Sequence, residues 1–154
     1  MRIEVATLFP QIIESYFENS IMKKSIEKGI IDYGITDIRD YAEDKHRTCD
    51  DTPYGGGAGM VLKPEPRAAA LDALKAEKCR VIYPTPSGRV YTQSMAHALA
   101  QEERLIFICG RYEGLDQRII DEYVDDEICI GDYVMSSGEV AALTIIDSLY
   151  RLVE

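Results

Sequence analysis

Two turns in the second half of the chain combine glycine with charged and aromatic side chains. The first, GRYEGL (110–115), and the second, IGDYVMSSG (130–138), each follow an apolar stretch. Glycine adopts backbone conformations closed to other residues, so a ligand can approach the main chain of such turns closely. Open α/β sheets bind ligands beyond the carboxyl ends of their strands, and both turns follow predicted strands. The sequence therefore predicts a ligand site formed by these two turns.

The charged residues around the two turns also allow a purely structural interpretation. Those near the first turn could form ion pairs at the start of a helix, and those near the second could be helix caps. They are Arg111, Glu113, Asp116 and Arg118 in the first group, and Asp132 and Glu139 in the second. On residue patterns alone, the chain is a ligand-binding α/β domain.

A third glycine-rich segment, PYGGGAGM (53–60), lies inside a stretch, 42–63, that has neither helical nor strand periodicity. A loop of this length in a compact domain is usually functional or mobile, and a plain flexible linker is the alternative. The glycines do not form a phosphate-binding P-loop, because Gly59 is followed by Met-Val-Leu instead of Lys and Ser or Thr. The dinucleotide fingerprint GxGxxG is also absent from the sequence, so a nicotinamide or flavin enzyme is not indicated.

Lys45, His46 and Arg47 form the main basic cluster of a chain with 17 basic and 27 acidic residues and a net charge of −10. The overall charge argues against nucleic-acid binding, but a local patch is compatible with contact to a phosphate backbone. A solvated loop face is the alternative. A catalytic pair of His46 with Cys49 is less favoured, because nothing in the sequence indicates an oxyanion hole or an orienting group.

The four cysteines, Cys49, Cys79, Cys109 and Cys129, are spaced by 30, 30 and 20 residues. This spacing indicates neither a zinc site nor a disulfide framework, and the apolar runs around Cys109 and Cys129 predict buried thiols. No stretch of the sequence is long and apolar enough to span a membrane, and the N-terminus does not resemble a signal peptide. We expect one cytoplasmic domain with no membrane partner.

Strand-like and helix-like segments alternate along the chain and must position these turns. The predicted strands are 2–8, 29–41, 80–86, 104–110 and a short strand before 130. The predicted helices are 11–28, 64–78, 92–103, a short acidic helix after 115, and 139–154. Thr92 is the predicted N-cap of the third of these helices. A turn is predicted at Ser87 and Gly88. This alternation predicts a mostly parallel α/β sheet with helices on both faces.

Four motifs together resemble the bacterial tRNA (guanine-N1)-methyltransferase family, TrmD. They are PYGGGAGM at 53–60, CGRYEGLDQR at 109–118, IGDYVMSSGE at 130–139 and LTIIDSLYR at 143–151, and the runs VATLFP and HRTCDDTPYGGG extend the resemblance to essentially the whole chain. The resemblance implies a SPOUT-type parallel sheet whose C-terminal segment forms a deep trefoil knot. We therefore expect residues 1–154 to be a SPOUT S-adenosylmethionine-binding methyltransferase domain.

The resemblance further implies that three loops, 83–89, 110–115 and 130–138, hold S-adenosylmethionine. The implied cofactor-binding residues are Tyr83, Pro84, Thr85, Pro86, Gly88, Gly110, Tyr112, Glu113, Gly114, Leu115, Ile130, Gly131, Asp132, Tyr133, Val134, Met135 and Gly138. Glycines and apolar side chains suit an adenine slot that is read by the main chain. Glu113, which would lie near the methionine end of the cofactor, is also the candidate Mg2+ ligand.

The implied reaction is methylation of guanine N1 in tRNA, 3′ of the anticodon, by a homodimer with its sites at the subunit interface. Arg151 would stabilise the negative charge that develops on guanine O6. Without the resemblance, Arg151 would be interpreted as a surface residue of a helix. The implied tRNA-binding residues are Lys45, His46, Arg47, Asp50, Gly56, Gly57 and Gly59.

Two departures from the family pattern affect the predicted site. The family's Ser-Gly-Gly-Glu is Ser-Ser-Gly-Glu at 136–139, so the side chain of Ser137 would crowd the loop if that residue needs a positive φ. Cys129 replaces the serine that usually precedes Ile-Gly-Asp-Tyr. We therefore expect these departures to bear on cofactor affinity more than on the fold.

By resemblance, a linker carrying the general-base aspartate and a C-terminal helical tRNA-binding domain would follow residue 154. We therefore expect this chain to bind the cofactor and to dimerise, but to methylate tRNA weakly or not at all. Two alternatives stay open. One is a cofactor-binding or dimerisation module without catalysis, and the other is a related SPOUT enzyme that acts on ribosomal RNA.

Overall fold

The computed structural model describes residues 1–53 and 55–153 of the chain. Its strands are β1 (Arg2–Thr7), β2 (Asp32–Asp37), β3 (Asp50–Asp51), β4 (Val61–Leu62), β5 (Arg80–Val90), β6 (Arg104–Ile108) and β7 (Asp126–Cys129). Five of them form one sheet in the order β2-β1-β6-β5-β7, and every pair in it is parallel. The predicted parallel sheet is therefore confirmed, and the carboxyl ends of its strands lie at one edge.

Helices cover both faces of this sheet, as predicted. They are α1 (Pro10–Phe17), α2 (Ser20–Glu27), α3 (Pro64–Ala73), α4 (Gln93–Leu99), α5 (Gln117–Tyr123) and α6 (Gly138–Tyr150), with short 3-10 turns at Ile38–Tyr41 and Ala76–Lys78. Alternate residues of β6 point to opposite faces. Leu105 and Phe107 pack in one cluster with residues of α1, α2, α4 and α6, whereas Ile106 and Ile108 pack in another with residues of α3 and α5. Because alternate side chains of β6 point to opposite faces of the sheet, this one apolar strand contributes to two hydrophobic clusters.

The single helix predicted for 11–28 is wrong, because α1 and α2 are separate helices. Asn19 between them is extended, with φ −122° and ψ 158°. Its side-chain amide donates a 2.6 Å hydrogen bond to the carbonyl of Ser15, near the end of α1. Asparagine often forms such local bonds in place of continued helix, which explains why an unbroken apolar period does not give an unbroken helix.

The turn predicted at Ser87 and Gly88 is a large irregularity inside β5. Pro84 and Arg89 both pair with Ile128 of β7, so residues 85–88 leave the register. Gly88 allows this because a Cβ atom there would lie 2.5 Å from the carbonyl carbon of Glu127. The backbones of β5 and β7 approach too closely for a side chain.

Several predicted elements are shorter than their apolar patterns. The strand of 29–41 stops at Asp37, whose carboxylate accepts a 2.9 Å hydrogen bond from the Arg39 N–H and starts a 3-10 turn. The helix of 64–78 breaks at Lys75, whose φ is +55°. Helix α4 ends at Leu99, but its predicted N-cap is confirmed, since the Thr92 hydroxyl accepts a bond from the N–H of Met95.

The stretch 42–63, predicted to be irregular, contains the small antiparallel pair of β3 and β4. Cys109 and Cys129 are buried thiols, as predicted, and the cysteines of the chain are free. Across residues 1–53 and 55–153, none of the helices has the length and apolar character that crossing a membrane requires.

Candidate functional site

The three predicted loops meet at one edge of the sheet, where they enclose a cavity of about 300 Å³. The walls come from the irregular part of β5, the loop after β6 and the loop after β7, and the first turn of α6 closes one side. Cavities of this size hold small molecules, and the carboxyl edge of a parallel sheet is where they usually bind. The predicted ligand site therefore has a shaped cavity at the expected place.

Thirteen of the seventeen predicted cofactor-binding residues line this cavity. They are Tyr83, Pro84, Thr85, Pro86, Gly110, Tyr112, Glu113, Gly114, Ile130, Tyr133, Val134, Met135 and Gly138. Gly88, Leu115, Gly131 and Asp132 lie outside the lining: Gly88 is against β7, and Gly131 is against the ring of Tyr133. Contact of any of these residues with a cofactor stays a prediction.

Tyr83 packs against the loop after β6 and is bonded to its main chain. The ring is 5% exposed, and its hydroxyl accepts a 3.2 Å hydrogen bond from the N–H of Leu115. A Cβ atom at Gly110 would lie 2.9 Å from the Tyr83 ring, and one at Gly114 would lie 3.0 Å from its hydroxyl. Gly114 also has a φ of +102°, which side chains other than glycine rarely tolerate. These two glycines are therefore required by the tyrosine beneath them.

Glu139 is fully buried at the start of α6 and joins three segments around the cavity. One carboxylate oxygen accepts a 2.7 Å hydrogen bond from the hydroxyl of Thr7, at the end of β1. The other accepts a 2.8 Å bond from Ser137 and lies 3.3 Å from Arg111 Nε, which is close enough for an ion pair but not aligned as a hydrogen bond. The guanidinium of Arg111 also covers the ring of Phe9, 3.9 Å from its centroid. Glu139 is therefore a buried junction, and the interpretation as a simple helix cap is wrong.

Burial raises the pKa of the Cys109 thiol well above its usual value, and the nearby charge of Glu139 adds to the effect. Burial likewise raises the pKa of the Cys49 thiol. Both thiols are therefore neutral at physiological pH, whereas a nucleophilic cysteine would have to be a thiolate. The pairing of His46 with Cys49 as a catalytic dyad has no support.

Neither departure from the family pattern distorts the site. Ser137 has a φ of −148°, so it is extended and needs no glycine. Its hydroxyl instead bonds to Glu139, and the crowding expected from a side chain at 137 is wrong. The thiol of Cys129 donates a 2.9 Å bond to the carbonyl of Gly131, an interaction that a serine hydroxyl could also make.

The glycine-rich segment contacts the cavity through Glu113. The N–H of Glu113 donates a 3.4 Å hydrogen bond to the carbonyl of Met60. Gly59 has a φ of +101°, and a Cβ atom there would lie 2.8 Å from a carboxylate oxygen of Glu113. Gly56 and Gly57 also have positive φ values, of +81° and +132°. Glycine is therefore favoured at all three positions by the positive φ, and at Gly59 also because a side chain would have no space.

The predicted basic cluster is exposed, but one of its charges is paired. Arg47 forms an ion pair with Asp40 and lies 4.0 Å from Asp37. Lys45 and His46 are exposed on the same loop, and Asp50 is half-buried in β3. The local field is therefore less positive than the sequence alone indicates, and tRNA contact by these residues stays a prediction.

Arg151 lies far from the cavity of its own chain. It is an exposed residue directly after α6, whereas Gly138 at the other end of that helix lines the cavity. Ala141, which also lines the cavity, is ten residues before Arg151, or about 15 Å along the helix at 1.5 Å for each residue. Arg151 therefore does not line the cavity of its own chain.

The residues described contain no group of three or more His, Cys, Asp or Glu side chains that could hold a metal ion. Glu113 is exposed at the cavity and offers a single carboxylate. Mg2+ commonly keeps several waters and uses only one or two protein carboxylates together with substrate oxygens. Glu113 fits that role, and a dedicated protein cage for the metal is not indicated.

Sequence reasoning missed seven residues that line the cavity: Ser87, Arg111, Ile128, Cys129, Ser136, Ser137 and Ala141. Ser87, Arg111, Ser136 and Ser137 lie inside the three predicted loops but are not among the residues predicted to contact the cofactor, and Ile128 and Cys129 directly precede the third loop. Ala141 lies one turn after Gly138 on α6, and helical periodicity could have identified it. Arg111 could not have been found in this way, because its position depends on Glu139 and Phe9.

The parallel sheet and the cavity at its carboxyl edge define an α/β protein with a loop-lined cavity of a size that suits a small molecule. The family model described as "tRNA (Guanine-1)-methyltransferase TrmD" matches residues 1–154, and the chain belongs to that family. Proteins named tRNA (guanine-N(1)-)-methyltransferase are 62% identical in Treponema denticola and 58% identical in Borreliella burgdorferi, each over all 154 residues. A third, from Treponema pallidum, is 59% identical over 153 residues, or 99% of this chain.

The chain spans 63% of the Treponema denticola protein, 64% of the Borreliella burgdorferi protein and 61% of the Treponema pallidum protein. The matched part contains the whole cavity and the glycine-rich segment described above. The remaining third of each relative has no counterpart among the residues of this chain.

Proposed function

We propose that this chain is the cofactor-binding catalytic domain of an S-adenosylmethionine-dependent tRNA (guanine-N1)-methyltransferase. The observation that carries the proposal is a cavity lined by the three glycine-containing loops, in a chain that belongs to the TrmD family. The proposed partner is a tRNA with guanine 3′ of the anticodon. The proposed location is the cytoplasm, where the proposed tRNA substrate would be found.

The cavity suits a molecule with an apolar ring and a charged tail. Ile130, Val134 and Met135 supply apolar lining for an adenine, and the glycines leave main-chain groups accessible for hydrogen bonds. Glu113 offers a negative charge to the cationic sulfonium and ammonium groups of the cofactor, or to a Mg2+ ion that would bind there with the cofactor's own oxygens. The site residues named from the sequence are therefore retained as the proposed contacts.

S-adenosylmethionine supplies an activated methyl group on a positively charged sulfur. The protein would hold guanine N1 in line with that methyl and remove the N1 proton, so that the nitrogen lone pair forms the new bond as the carbon–sulfur bond breaks. Arg151 would lie against guanine O6, because a guanidinium stabilises negative charge without titrating. The general base is proposed to lie in the part of the relatives that this chain does not match.

The distance between Arg151 and the cavity supports a site shared by two chains. We expect a homodimer in which Arg151 of one subunit reaches the cavity of the other. Exposed apolar residues suitable for such an interface lie beside the cavity and on α6: Tyr133 is 59%, Val134 is 82% and Val140 is 45% exposed. Apolar surface of this kind commonly marks an interaction site.

A deep trefoil knot is part of the proposal for the C-terminal segment. It is supported by the close approach of that segment to the loop after β6. The N–H of Gly138 donates a 3.0 Å hydrogen bond to the carbonyl of Gly110, and a Cβ atom at 138 would lie 2.7 Å from the nitrogen of Gly110. Main chains this close leave no room for intervening side chains.

The test combines calorimetry with methyl transfer. This chain should bind S-adenosylmethionine, and a chimera in which it replaces the matching part of the Treponema denticola protein should methylate a tRNA with guanine 3′ of the anticodon. The same tRNA with adenine at that position is the control and should not react. Absence of heat with the cofactor, or equal methylation of both tRNAs, would reject the proposed function.

A non-catalytic binding or dimerisation module is the second candidate. It is favoured by the position of Arg151, since one chain does not assemble a complete site. Cofactor binding and dimerisation by this chain, together with an inactive chimera, would support it. Methylation of ribosomal RNA but not tRNA by the chimera would favour a related enzyme with a different substrate.

A further inference from the structure

Arg67 is a fully buried cation whose role nothing in the cavity explains. Its side chain is 0% exposed, and it lies on the first turns of α3, outside the cavity lining. Desolvation lowers its pKa to about 10, so the group still carries its charge at neutral pH. Burial of a charged group is costly unless its interactions repay the loss of water.

Arg67 donates hydrogen bonds to both ends of the glycine-rich segment. Its Nη1 donates a 3.1 Å hydrogen bond to the carbonyl of Cys49, directly before β3, and a 2.8 Å bond to the carbonyl of Lys63, directly after β4. The N–H of Lys63 also donates a 2.9 Å bond to the Cys49 carbonyl. Arg67 therefore closes the base of a segment formed by residues 49–53 and 55–63, which we name the glycine arm.

These contacts do not explain Arg67 as a stabiliser of the core. Among the described residues, its Nε and Nη2 atoms have no hydrogen-bond partner. Unpaired buried donors are costly, and an apolar side chain of similar volume often serves a core equally well or better. An apolar residue could not, however, bond to the carbonyls of Cys49 and Lys63 at once.

The part of the glycine arm that directly precedes β4 touches the cavity. Gly59 and Met60 lie against Glu113, which lines the cavity and is bonded to Met60 through its N–H. The geometry points to Arg67 as a positioning residue, which holds the glycine arm at the mouth of the cavity so that the arm presents its main chain to the RNA substrate. This inference rests on the proposed function for the identity of the substrate, but the placement of the arm can be tested without it.

Amide hydrogen exchange in this chain, followed by NMR, tests the placement. In Arg67→Met, the Lys63 and Glu113 amides should exchange about tenfold faster, because both hydrogen bonds depend on the arm. The Cys109 amide, bonded to Ala6 in the sheet, should keep its rate. Arg67→Lys should restore part of the protection, because an ammonium group can still donate to the two carbonyls. Leu71→Val is the matched control, since it perturbs α3 but removes no bond to the arm.

The same variants in the chimera test the role toward RNA. Arg67→Met should raise KM for tRNA about tenfold and leave KM for S-adenosylmethionine within about twofold. An unchanged Lys63 exchange rate, or equal acceleration at Cys109, would overturn the placement. Faster arm exchange with an unchanged KM for tRNA would overturn the positioning role. An inactive chimera with Arg67 intact would instead count against the proposed function, and the exchange data would still decide the placement.

Discussion

Glu139 is the residue on which three segments around the cavity converge. Its carboxylate is bonded to Thr7 from β1 and to Ser137 from the loop after β7, and it pairs with Arg111 from the loop after β6. A buried charge with partners from three segments fixes their relative positions, because moving any one leaves a polar group unpaired. The shape of the cavity therefore depends on a side chain that does not line it.

The first prediction concerns this junction. Glu139→Gln keeps the shape of the side chain but removes its charge, so Arg111 loses its partner in a half-buried position. We expect the free energy of unfolding to fall by about 3 kcal/mol, the low end for a buried ion pair that loses one member, because the Arg111 side chain is 21% exposed. We also expect affinity for S-adenosylmethionine to fall, because the loops are no longer joined.

Urea denaturation and calorimetry measure the two effects. Glu122→Gln, a substitution of an exposed residue on α5, is the matched control and should change stability by less than about 0.5 kcal/mol. Equal free energies of unfolding for Glu139→Gln and the control would show that the charge of Glu139 contributes nothing to stability.

At the scale of elements, the start of α6 is placed by contact with another main chain. Gly138 begins the helix and donates its N–H to Gly110. Helix propensity alone would favour alanine at 138, since glycine is a poor helix former. Tertiary packing reverses that preference, because a Cβ atom at 138 would lie 2.7 Å from the nitrogen and 2.9 Å from the oxygen of Gly110.

The second prediction follows from this contact. Gly138→Ala should lower the free energy of unfolding by about 1–2 kcal/mol, since the cost of overpacking exceeds the gain in helix propensity. It should also weaken cofactor binding, because both glycines border the cavity. Urea denaturation and calorimetry check the two effects, with Thr144→Ala as a control at an exposed position of the same helix. A Gly138→Ala variant more stable than the wild type would show that the main chains at Gly110 and Gly138 can move apart without loss of stability.

Helices α3 and α5 are joined by a hydrogen bond that titrates. The hydroxyl of Tyr123 donates a 2.8 Å bond to Asp72. Desolvation, with the bond to Asp72 next, raises the pKa of Tyr123 from 10.0 to about 12. The folded state therefore holds this proton more tightly than the unfolded state, so the contribution to stability is complete below pH 10 and is lost as pH rises to about 12.

The third prediction uses this difference. The wild-type chain should be more stable than Tyr123→Phe at neutral pH, and the difference should disappear between pH 10 and about 12. Urea denaturation of both proteins across this range measures it. Tyr41→Phe, at the end of the 3-10 turn Ile38–Tyr41, is the control. A difference that persists at the highest pH would show that the phenol proton is not involved.

At the scale of the whole molecule, α6 separates two groups that the proposed reaction needs together. Residues of this helix as far as Ala141 border the cavity, and Arg151 follows its last turn, about 15 Å further along. A rigid helix cannot bring its ends together, so the proposed role of Arg151 requires a second subunit. The length of α6 therefore supports the proposed dimer.

The fourth prediction is complementation between two inactive chimeras. Arg151→Ala and Glu113→Ala should each abolish methyl transfer in the chimera described above. When the two are mixed and allowed to exchange subunits, activity should return, because one cavity of each heterodimer then has an intact Glu113 and an intact Arg151. Arg151→Ala should also leave the cofactor affinity of this chain unchanged. A mixture that stays inactive, although mass spectrometry shows heterodimers, would contradict a shared site.

The sequence by itself determined the parallel sheet, the two layers of helices and the glycine turns, because these depend on local periods and on backbone conformations that neighbouring residues set. Only the tertiary structure decided the junctions. Thr7 and Glu139 are 132 positions apart in the sequence, and Arg67 and Cys49 are 18 positions apart. The first pair depends on the strand order β2-β1-β6-β5-β7 and the second on the packing of α3 against the base of the glycine arm, and no local pattern encodes either. Hydrogen bonds between buried groups are specified by this global arrangement, and here they shape both the cavity and the glycine arm.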